Sequence, residues 1–385
     1  MKRLKAFILS VALSSIISFI FLNHYTNYME DSFKKITVCN NSIRYNISFS
    51  KYKSHDAIAK NIGKNTILLM GSSELIVTND CKEHPKQFLD YKDKNIMQVG
   101  EGYFQSIIQA VTLGSIGSDI PIKTVNLILS MQWFDKDGIK PEAFLYRFSI
   151  DHLNNLYKNP NISDKTKEKI YNRILELSKS NSVITNIVKA MKRNNVWDKT
   201  FLDLNHYKYR IISNYKFFKS YHHDDSNNSK KFPDFIDWNK AEVEALESSI
   251  SETKNNKFYM HNEWYDKNIG KKLEKFKNSA KNTTFTESPE YKDLQLFLDV
   301  AKDMNFKVNL VLVPLQGYWA DYTGVSHKEI NNFYENIKKI SKENSVNLID
   351  YSAYSYKPYF FKDATHLGRL GLLQLQKDLL EYNKD

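Results

Sequence analysis

Five short runs of apolar residues are the feature that most restricts how this chain can fold. The runs are rich in branched side chains and lack a strict polar and apolar alternation; they are residues 66–70, 95–99, 124–130, 307–313 and 346–350. Such runs are typical of strands buried on both faces of a parallel sheet. Segments with helical spacing separate them. The sequence therefore predicts an α/β fold, with a five-stranded parallel sheet between two layers of helices and right-handed crossovers.

The alternation of strand and helix stops in the middle of the chain. Between residues 139 and 281 the sequence is helical in pattern, basic and rich in Tyr and Asn. A stretch of this length is not expected as a loop within a compact domain. We therefore interpret it as a largely helical insertion.

An uncharged and largely apolar stretch occupies residues 6–22, at the short end of what spans a bilayer. Lys2, Arg3 and Lys5 precede it, which predicts that residues 1–5 stay in the cytoplasm and that the following chain lies outside. A cleaved signal peptide is the competing interpretation, but no small-x-small cleavage site follows the stretch. We expect an uncleaved transmembrane helix, a juxtamembrane segment over residues 23–61 and an extracytoplasmic domain over residues 62–385.

The chain is basic, with 55 Lys and Arg residues against 44 Asp and Glu residues and a formal net charge of +11. This excess favours polyanionic neighbours such as anionic lipid or an anionic cell-wall polymer. The expected extracytoplasmic location argues against nucleic acid as a partner. The two cysteines, Cys39 and Cys81, either pair or remain free.

The first strand-like run ends in Gly71, Ser72 and Ser73, which places small hydroxyl side chains on a tight turn. A serine there is exposed beyond the carboxyl end of a sheet, and its amide points at an incoming oxyanion. Taken alone, Gly-Ser-Ser more often marks a glycine turn with a serine cap. Far downstream, Asp363 and His366 stand three residues apart and share one face of a turn or helix. Alternatively, Asp363 caps the C-terminal helix and His366 is a surface residue of its first turn.

An early serine followed by a late Asp-x-x-His is similar to the order of catalytic residues in SGNH hydrolases. A serine nucleophile needs a base, the base needs an orienting carboxylate, and the oxyanion needs donors. The resemblance makes Ser73 the nucleophile rather than Ser72, because the reactive serine of the Gly-Asp-Ser pattern is the second residue after the glycine. It makes His366 the base and Asp363 its partner.

Donors for the oxyanion are expected at the ends of three neighbouring strands. The amide of Ser73 is one candidate, the amide of Gly102 after the second strand is another, and the side chain of Gln132 after the third strand is the last. Either Gly102 or Gln132 alone would be an ordinary turn residue. Together with Ser73 and His366 they place four suitable groups at strand-end or C-terminal positions of one sheet.

A longer series of ordered segments resembles the DltD family. The segments are Gly71-Ser72-Ser73-Glu74-Leu75, Gly102 with Gln105-Ser106, Gln132-Trp133-Phe134 before Gly138, Asn255-Asn256 with Phe258, Ser288-Pro289-Glu290-Tyr291 with Asp293-Leu294-Gln295, Pro314 with Gly317 and Trp319, Asp321-Tyr322-Thr323-Gly324, and Pro358-Tyr359-Phe360 leading into Asp363 and His366-Leu367-Gly368. The chain departs from the family pattern at Met131, at Leu315-Gln316 and at Arg369-Leu370-Gly371-Leu372. These departures leave the three triad residues unchanged.

The resemblance implies a three-layer, flavodoxin-like SGNH-hydrolase fold and a role in adding D-alanine to teichoic or lipoteichoic acid of Gram-positive bacteria. Its implied partners are the teichoic acid, a membrane-bound O-acyltransferase, the D-alanyl carrier protein and the anionic membrane. No metal or organic cofactor is expected, because the candidate residues form a proton-transfer set. The adjacent residues His222, His223, Asp224 and Asp225 belong to a polar run and are not expected to converge on one ion.

Two other functions remain open at this point. The departures from the family pattern allow an extracytoplasmic esterase or O-acyltransferase that acts on another cell-wall glycopolymer. A non-catalytic scaffold of the D-alanylation complex would share the membrane anchor and the fold but would not need Ser73.

Overall fold

The computed structural model describes residues 2–36, 41–45, 50–76, 81–85, 90–91, 94–221 and 236–384. Within these residues the strands form one sheet in the spatial order β2-β3-β1-β4-β5-β6. The strands are β1 (Thr66–Met70), β2 (Asp90–Tyr91), β3 (Lys94–Val99), β4 (Thr124–Ser130), β5 (Lys307–Val313) and β6 (Asn347–Asp350).

The predicted α/β architecture with five parallel strands is confirmed. The parallel strands are β3, β1, β4, β5 and β6, and the short β2 pairs antiparallel with β3 at one edge. The parallel strands, counted along the chain, follow the order 2-1-3-4-5 of a flavodoxin-like sheet. Because β1 lies between β3 and β4, the carboxyl ends of these three strands are neighbours.

Helices cover both faces of the sheet, because alternate residues of a strand point to opposite sides. Leu68 and Met70 of β1 belong to a core shared with α4 (Ser106–Ile116), α13 (Pro289–Asp303) and α15 (His327–Glu343). Ile67 and Leu69 belong to a second core on the other face, which includes α16 (Arg369–Tyr382). The result is a three-layer sandwich.

Helices fill the sequence between β4 and α13 in the described part of the chain. They are α5 (Pro141–Arg147), α6 (Ile150–Lys158), α7 (Asp164–Leu177), α8 (Ser182–Arg193), α9 (Val196–Ser220), α10 (Trp238–Glu252), α11 (Asn262–Asn268) and α12 (Leu273–Phe276). Side chains of Ser, Asn or Asp cap the amino ends of α6 to α10 by accepting backbone hydrogen bonds, which satisfies amides that have no partner inside the helix. A further short helix, α14 (Gly317–Thr323), follows β5.

The N-terminal helix α1 (Lys2–Lys34) is long and apolar enough to cross a membrane, and its apolar window is fully exposed. It continues well beyond residue 22, where the predicted span ends. Its last turns pack on the domain, since Met29 and Phe33 are buried. Two short helices, α2 (Asn41–Arg44) and α3 (His55–Ala59), precede the sheet.

Two groups of residues singled out in the sequence lie outside the described residues. They are Cys39 and the polar run His222, His223, Asp224 and Asp225. The other cysteine, Cys81, is a buried free thiol.

Candidate active site

The carboxyl end of β1 forms a tight turn that presents two serines. The Gly71 amide donates to the Val99 carbonyl at the end of β3 (3.2 Å), so the two strand ends stay together. Gly100 has a φ of +140°, and a Cβ atom there would lie 1.9 Å from the Gly71 carbonyl oxygen. Only glycine allows this close approach. After Gly71 and Ser72 the chain enters a short 3-10 turn that begins at Ser73.

The two serines of this turn have different surroundings. Ser72 is 1% exposed, and its Oγ donates to the backbone carbonyl of Glu101 (3.1 Å). Ser73 is partly exposed, and its Oγ lies 2.8 Å from Nε2 of His366. The structure therefore brings Ser73, and not Ser72, to the histidine.

A closed loop before α16 holds the other two candidate residues. Phe361 and Leu367 form an isolated antiparallel bridge across the loop. Inside it, Oδ1 of Asp363 accepts hydrogen bonds from the amides of Thr365 (2.9 Å) and His366 (3.0 Å). Helix α16 begins only at Arg369, after Gly368. The alternative in which Asp363 caps this helix is therefore wrong.

Two backbone contacts fasten the loop to the rest of the domain. The amide of His261 donates to the Lys362 carbonyl (2.9 Å), and the amide of Gln316 donates to the Ala364 carbonyl (3.0 Å). Gln316 also caps α14 by accepting from the Trp319 amide. The helical region and the segment after β5 therefore both position the loop that carries Asp363 and His366.

Asp363, His366 and Ser73 form a continuous hydrogen-bonded chain. Nδ1 of His366 lies 2.8 Å from Oδ2 and 2.9 Å from Oδ1 of Asp363, and Nε2 lies 2.8 Å from Oγ of Ser73. An ionised carboxylate only accepts, so Nδ1 carries the imidazole proton and Nε2 is left to accept the serine proton. This geometry suits a serine nucleophile and its base.

The electrostatics of the pair favour charge separation. Burial opposes the charged form of His366, but the hydrogen bond and charge of Asp363, with a smaller contribution from Glu74, raise its pKa above the ordinary value. Burial likewise opposes ionisation of Asp363, yet the hydrogen bond and charge of His366 and the two amides lower its pKa. The carboxylate is thus kept ionised beside an imidazole that accepts a proton readily.

The two remaining oxyanion candidates stand at the predicted strand ends. Gly102 follows β3, and its carbonyl accepts a hydrogen bond from Nε of Arg147 (2.7 Å). A Cβ atom at this position would have no heavy atom beyond its chain neighbours within 4 Å. Gln132 lies in the 3-10 turn after β4, and its side chain is exposed. Because β3 and β4 flank β1, these residues lie on either side of the Ser73 turn. Neither lines the cavity described next, which the structure forms on the side of His366.

A cavity of about 230 Å³ opens directly onto the triad. Ser73, Asp363 and His366 contribute to its wall, together with aromatic and apolar side chains such as Trp264, Tyr359 and Leu372. The volume of this cavity fits a small acyl group rather than a polymer chain. A wider groove adjoins it along α11 and shares His261 and Trp264 with it.

Several charged residues of this wall were not predicted as site residues from the sequence. Arg369 donates to both oxygens of Glu252 and to Oε2 of Glu83 (2.9 Å), so one guanidinium joins two carboxylates. Glu74, next to the nucleophile, is buried and accepts from the Ser72 amide (2.8 Å), and burial raises its pKa. Arg369 was visible only as a departure from the family pattern, because its partners are distant in sequence.

Cys81 also lines the cavity and is a second potential nucleophile. Burial raises the pKa of its thiol to about 12, with the charge of Glu83 adding to the effect. A thiol with this pKa is almost entirely protonated at neutral pH and is a poor nucleophile. Ser73 is therefore the candidate nucleophile of this cavity.

Comparisons with known proteins agree on one family. A family model described as "DltD protein" matches residues 40–384. Protein DltD of Bacillus subtilis (strain 168) is 26% identical over 324 residues, which cover 82% of each chain. Protein DltD of Lacticaseibacillus rhamnosus is 25% identical over 340 residues, or 84% of this chain and 78% of the relative. Protein DltD of Staphylococcus aureus (strain NCTC 8325 / PS 47) is 23% identical over 330 residues, or 82% of this chain and 80% of the relative.

Proposed function

The chain belongs to the DltD family, whose members act in the D-alanylation of teichoic acid, and we propose that its own step is an acyl transfer by Ser73, His366 and Asp363. The observation that carries this proposal is the chain of hydrogen bonds that runs from the carboxylate of Asp363 through His366 to the Ser73 hydroxyl. In this assignment the protein is an SGNH-like serine acyltransferase with teichoic acid as its acceptor.

In the first half of the reaction, Ser73 takes the D-alanyl group from a donor. Oγ attacks the acyl carbon while Nε2 of His366 removes its proton, and the resulting imidazolium is stabilised by Asp363. The tetrahedral intermediate collapses, the bond from the acyl carbon to the leaving group breaks, and His366 returns the proton to that leaving group. The product is a D-alanyl ester on Ser73.

In the second half, a hydroxyl of the polymer replaces water as the nucleophile. His366 removes the proton of this hydroxyl, the acyl carbon is attacked, and the ester bond to Ser73 breaks. The proton then returns from His366 to Oγ, which regenerates the free enzyme. The cavity of about 230 Å³ holds the acyl group, and the adjoining groove gives an extended acceptor a path to it.

Oxyanion stabilisation is assigned to three donors. The amide of Ser73 opens a 3-10 turn and therefore has no partner inside that turn. The amide of Gly102 and the side chain of Gln132 supply further donors from the neighbouring strand ends. Gly102 follows β3 and Gln132 follows β4, the two strands that flank β1, so we expect both donors at the edge of the sheet where the oxyanion forms.

The membrane arrangement completes the proposal. Helix α1 anchors the protein with its N-terminus in the cytoplasm, and the α/β domain lies outside the membrane, because basic residues precede the apolar stretch. The proposed partners are the membrane-bound O-acyltransferase and D-alanyl carrier protein of the pathway, and the anionic membrane surface suits the formal charge of +11.

The acyl-enzyme step is testable with the purified full-length protein in detergent. A small D-alanyl thioester serves as donor, and peptide mass spectrometry looks for one added alanyl group on the peptide that contains Ser73. We expect the adduct in the wild type and in Ser72→Ala, and none in Ser73→Ala or His366→Ala. Ser72→Ala is the matched control, because it removes the neighbouring hydroxyl of the same turn.

The outcome also separates the competing functions. An adduct that water removes equally fast with and without teichoic acid supports a plain esterase. Absence of any adduct on the wild type, together with normal D-alanylation in cells that carry Ser73→Ala, supports a scaffold.

A further inference from the structure

An apolar stripe on helix α9 is left uncovered by the rest of the protein. Trp197, Phe201 and Leu204 are spaced by four and three residues and so share one face of the helix. Their exposed fractions are 85%, 42% and 67%, and the preceding Val196 is 75% exposed. A contiguous group of large exposed apolar side chains marks a contact surface rather than ordinary solvent-facing helix.

The contacts between α1 and α9 fix the direction of the two helices. The residue numbers of successive contacts rise together on the two helices. Thr26 contacts Tyr207 (2.8 Å), Glu30 contacts Arg210, and Phe33 contacts Phe217 (ring centroids 5.8 Å apart). The two helices therefore run in the same general direction. The start of α9 therefore lies toward the same end of the helix pair as the apolar part of α1.

The distances along the helices place the start of the stripe at the level of the membrane. The apolar stretch of α1 ends at Leu22, four residues before Thr26, which corresponds to about 6 Å of helix. Trp197 precedes Tyr207 by ten residues, or about 15 Å. Even if the helices cross at about 50°, this length projects to about 10 Å along α1. The first turns of α9 thus extend past the level where the apolar stretch of α1 ends.

We propose that the hairpin of α8 and α9 is a second membrane contact, and that Val196, Trp197, Phe201 and Leu204 enter the interface of the leaflet beside α1. The proposal rests on α1 spanning the membrane, which is part of the proposed function. The occupant of the stripe is the lipid bilayer, since the first turns of α9 reach the level of the exposed apolar part of α1.

The side chains around the hairpin tip suit a lipid interface. Tryptophan is enriched at the level of the headgroups, where its ring is half apolar and its N–H still reaches water. Lys189 and Lys199 are exposed around the tip and can extend to lipid phosphates, as basic residues beside an interfacial helix do. Two attachments, α1 and the hairpin, would hold the domain at one tilt against the bilayer.

Quenching by brominated lipids tests this contact with the full-length protein. The protein is reconstituted into nanodiscs of phosphatidylcholine and phosphatidylglycerol, with and without bromine on the acyl chains, and tryptophan fluorescence is measured. We expect bromine to quench the wild type and Trp238→Phe, whose replaced tryptophan lies on α10, and to leave Trp197→Phe unquenched. Phe keeps the surface apolar, so Trp197→Phe removes the reporter without removing the contact.

Two results would overturn the inference, and they are distinguishable. Equal fluorescence with and without bromine in the wild type, for protein that has entered the nanodiscs, rejects the hairpin contact and leaves the anchor intact. Protein that does not enter the nanodiscs at all rejects the anchor, and with it the basis of the inference.

Discussion

At the scale of single residues, the proton relay sets the expected pH dependence. The proposed acyl transfer needs His366 neutral, and the hydrogen bond and charge of Asp363 raise its pKa despite burial. Activity of the wild type should therefore rise with pH through a value above that of an ordinary histidine. Asp363→Asn removes the carboxylate charge, so we expect this rise to move to lower pH and kcat to fall by up to about 10⁴-fold.

The check is a pH–rate profile of acyl transfer for the wild type and for Asp363→Asn. A merely structural aspartate would change the amount of active protein without moving the profile. An unchanged midpoint in the variant would therefore remove Asp363 from the proposed relay.

The exposed side chain of Gln132 gives a separate test of the oxyanion assignment. If Gln132 donates to the oxyanion, Gln132→Ala should lower kcat by about 10²-fold with little change in KM, because the bond forms mainly in the transition state. Steady-state kinetics on a D-alanyl ester provide the measurement. A change confined to KM would assign Gln132 to substrate binding instead.

The geometry of the three triad residues agrees with the sequence interpretation, because local signals marked each position. A glycine and two serines ended a strand-like run, and Asp-x-x-His placed a carboxylate and an imidazole on one turn. Local signals do not mark Glu74 or the Arg369 cluster in the same way. Arg369 meets Glu83 and Glu252 only through folding, across more than a hundred residues of sequence.

At the scale of secondary-structure elements, this Arg369 cluster joins α16 and α10 to the residue 83 segment. Glu83 is 2% exposed, so removing its partner would leave a buried carboxylate without its counter-charge. We expect Arg369→Met to lower the free energy of unfolding by about 3 kcal/mol. Lys377→Met is the matched control on the same helix, since Lys377 pairs with the half-exposed Glu242, and it should cost less than about 1 kcal/mol.

Urea denaturation of the purified full chain in detergent measures both variants. Replacing Glu83, Glu252 and Arg369 together by apolar residues should recover much of the loss, because no charge is then left buried. Equal, small effects of Arg369→Met and Lys377→Met would show that the cluster does not hold these elements together.

The strands were predictable because each is an apolar run bounded by turn residues. The bounds of β1, β4 and β5 match the predicted runs, while β3 begins one residue earlier and β6 one residue later than predicted. The strand β2 has two residues and no apolar run, so periodicity could not reveal it. The continuation of α1 to Lys34 could not be predicted from hydropathy, because its last turns are polar in sequence and are held by packing of Met29 and Phe33.

At the scale of the whole molecule, the three layers and the parallel sheet followed from the alternation of strands and helices, while the flavodoxin-like arrangement was implied by the family resemblance. The docking of the helices between β4 and α13 could not be predicted, because it depends on contacts across long sequence separations. Their helical character was visible in the pattern of residues 139–281. The sequence did not reveal their contact, through His261 and Lys362, with the loop that carries Asp363 and His366.

The topology of the whole chain has its own test. A C-terminal alkaline phosphatase fusion should be active in cells, since the enzyme works only outside the cytoplasm, and the mature protein should retain residues 1–22. Enzyme activity and N-terminal sequencing of the membrane fraction measure the two properties. A soluble product that begins after residue 22 would replace the anchor by a cleaved signal peptide.

The most direct test of the proposed role of Ser73 is the amount of ester-linked D-alanine on the teichoic acid of cells in which Ser73→Ala replaces the native protein. Wild type and Ser72→Ala serve as controls at equal protein level in the membrane. We predict normal D-alanine for both controls and almost none for Ser73→Ala, because the hydroxyl that His366 is proposed to activate is then missing. Normal ester-linked D-alanine in the Ser73→Ala cells would contradict the catalytic role of the triad.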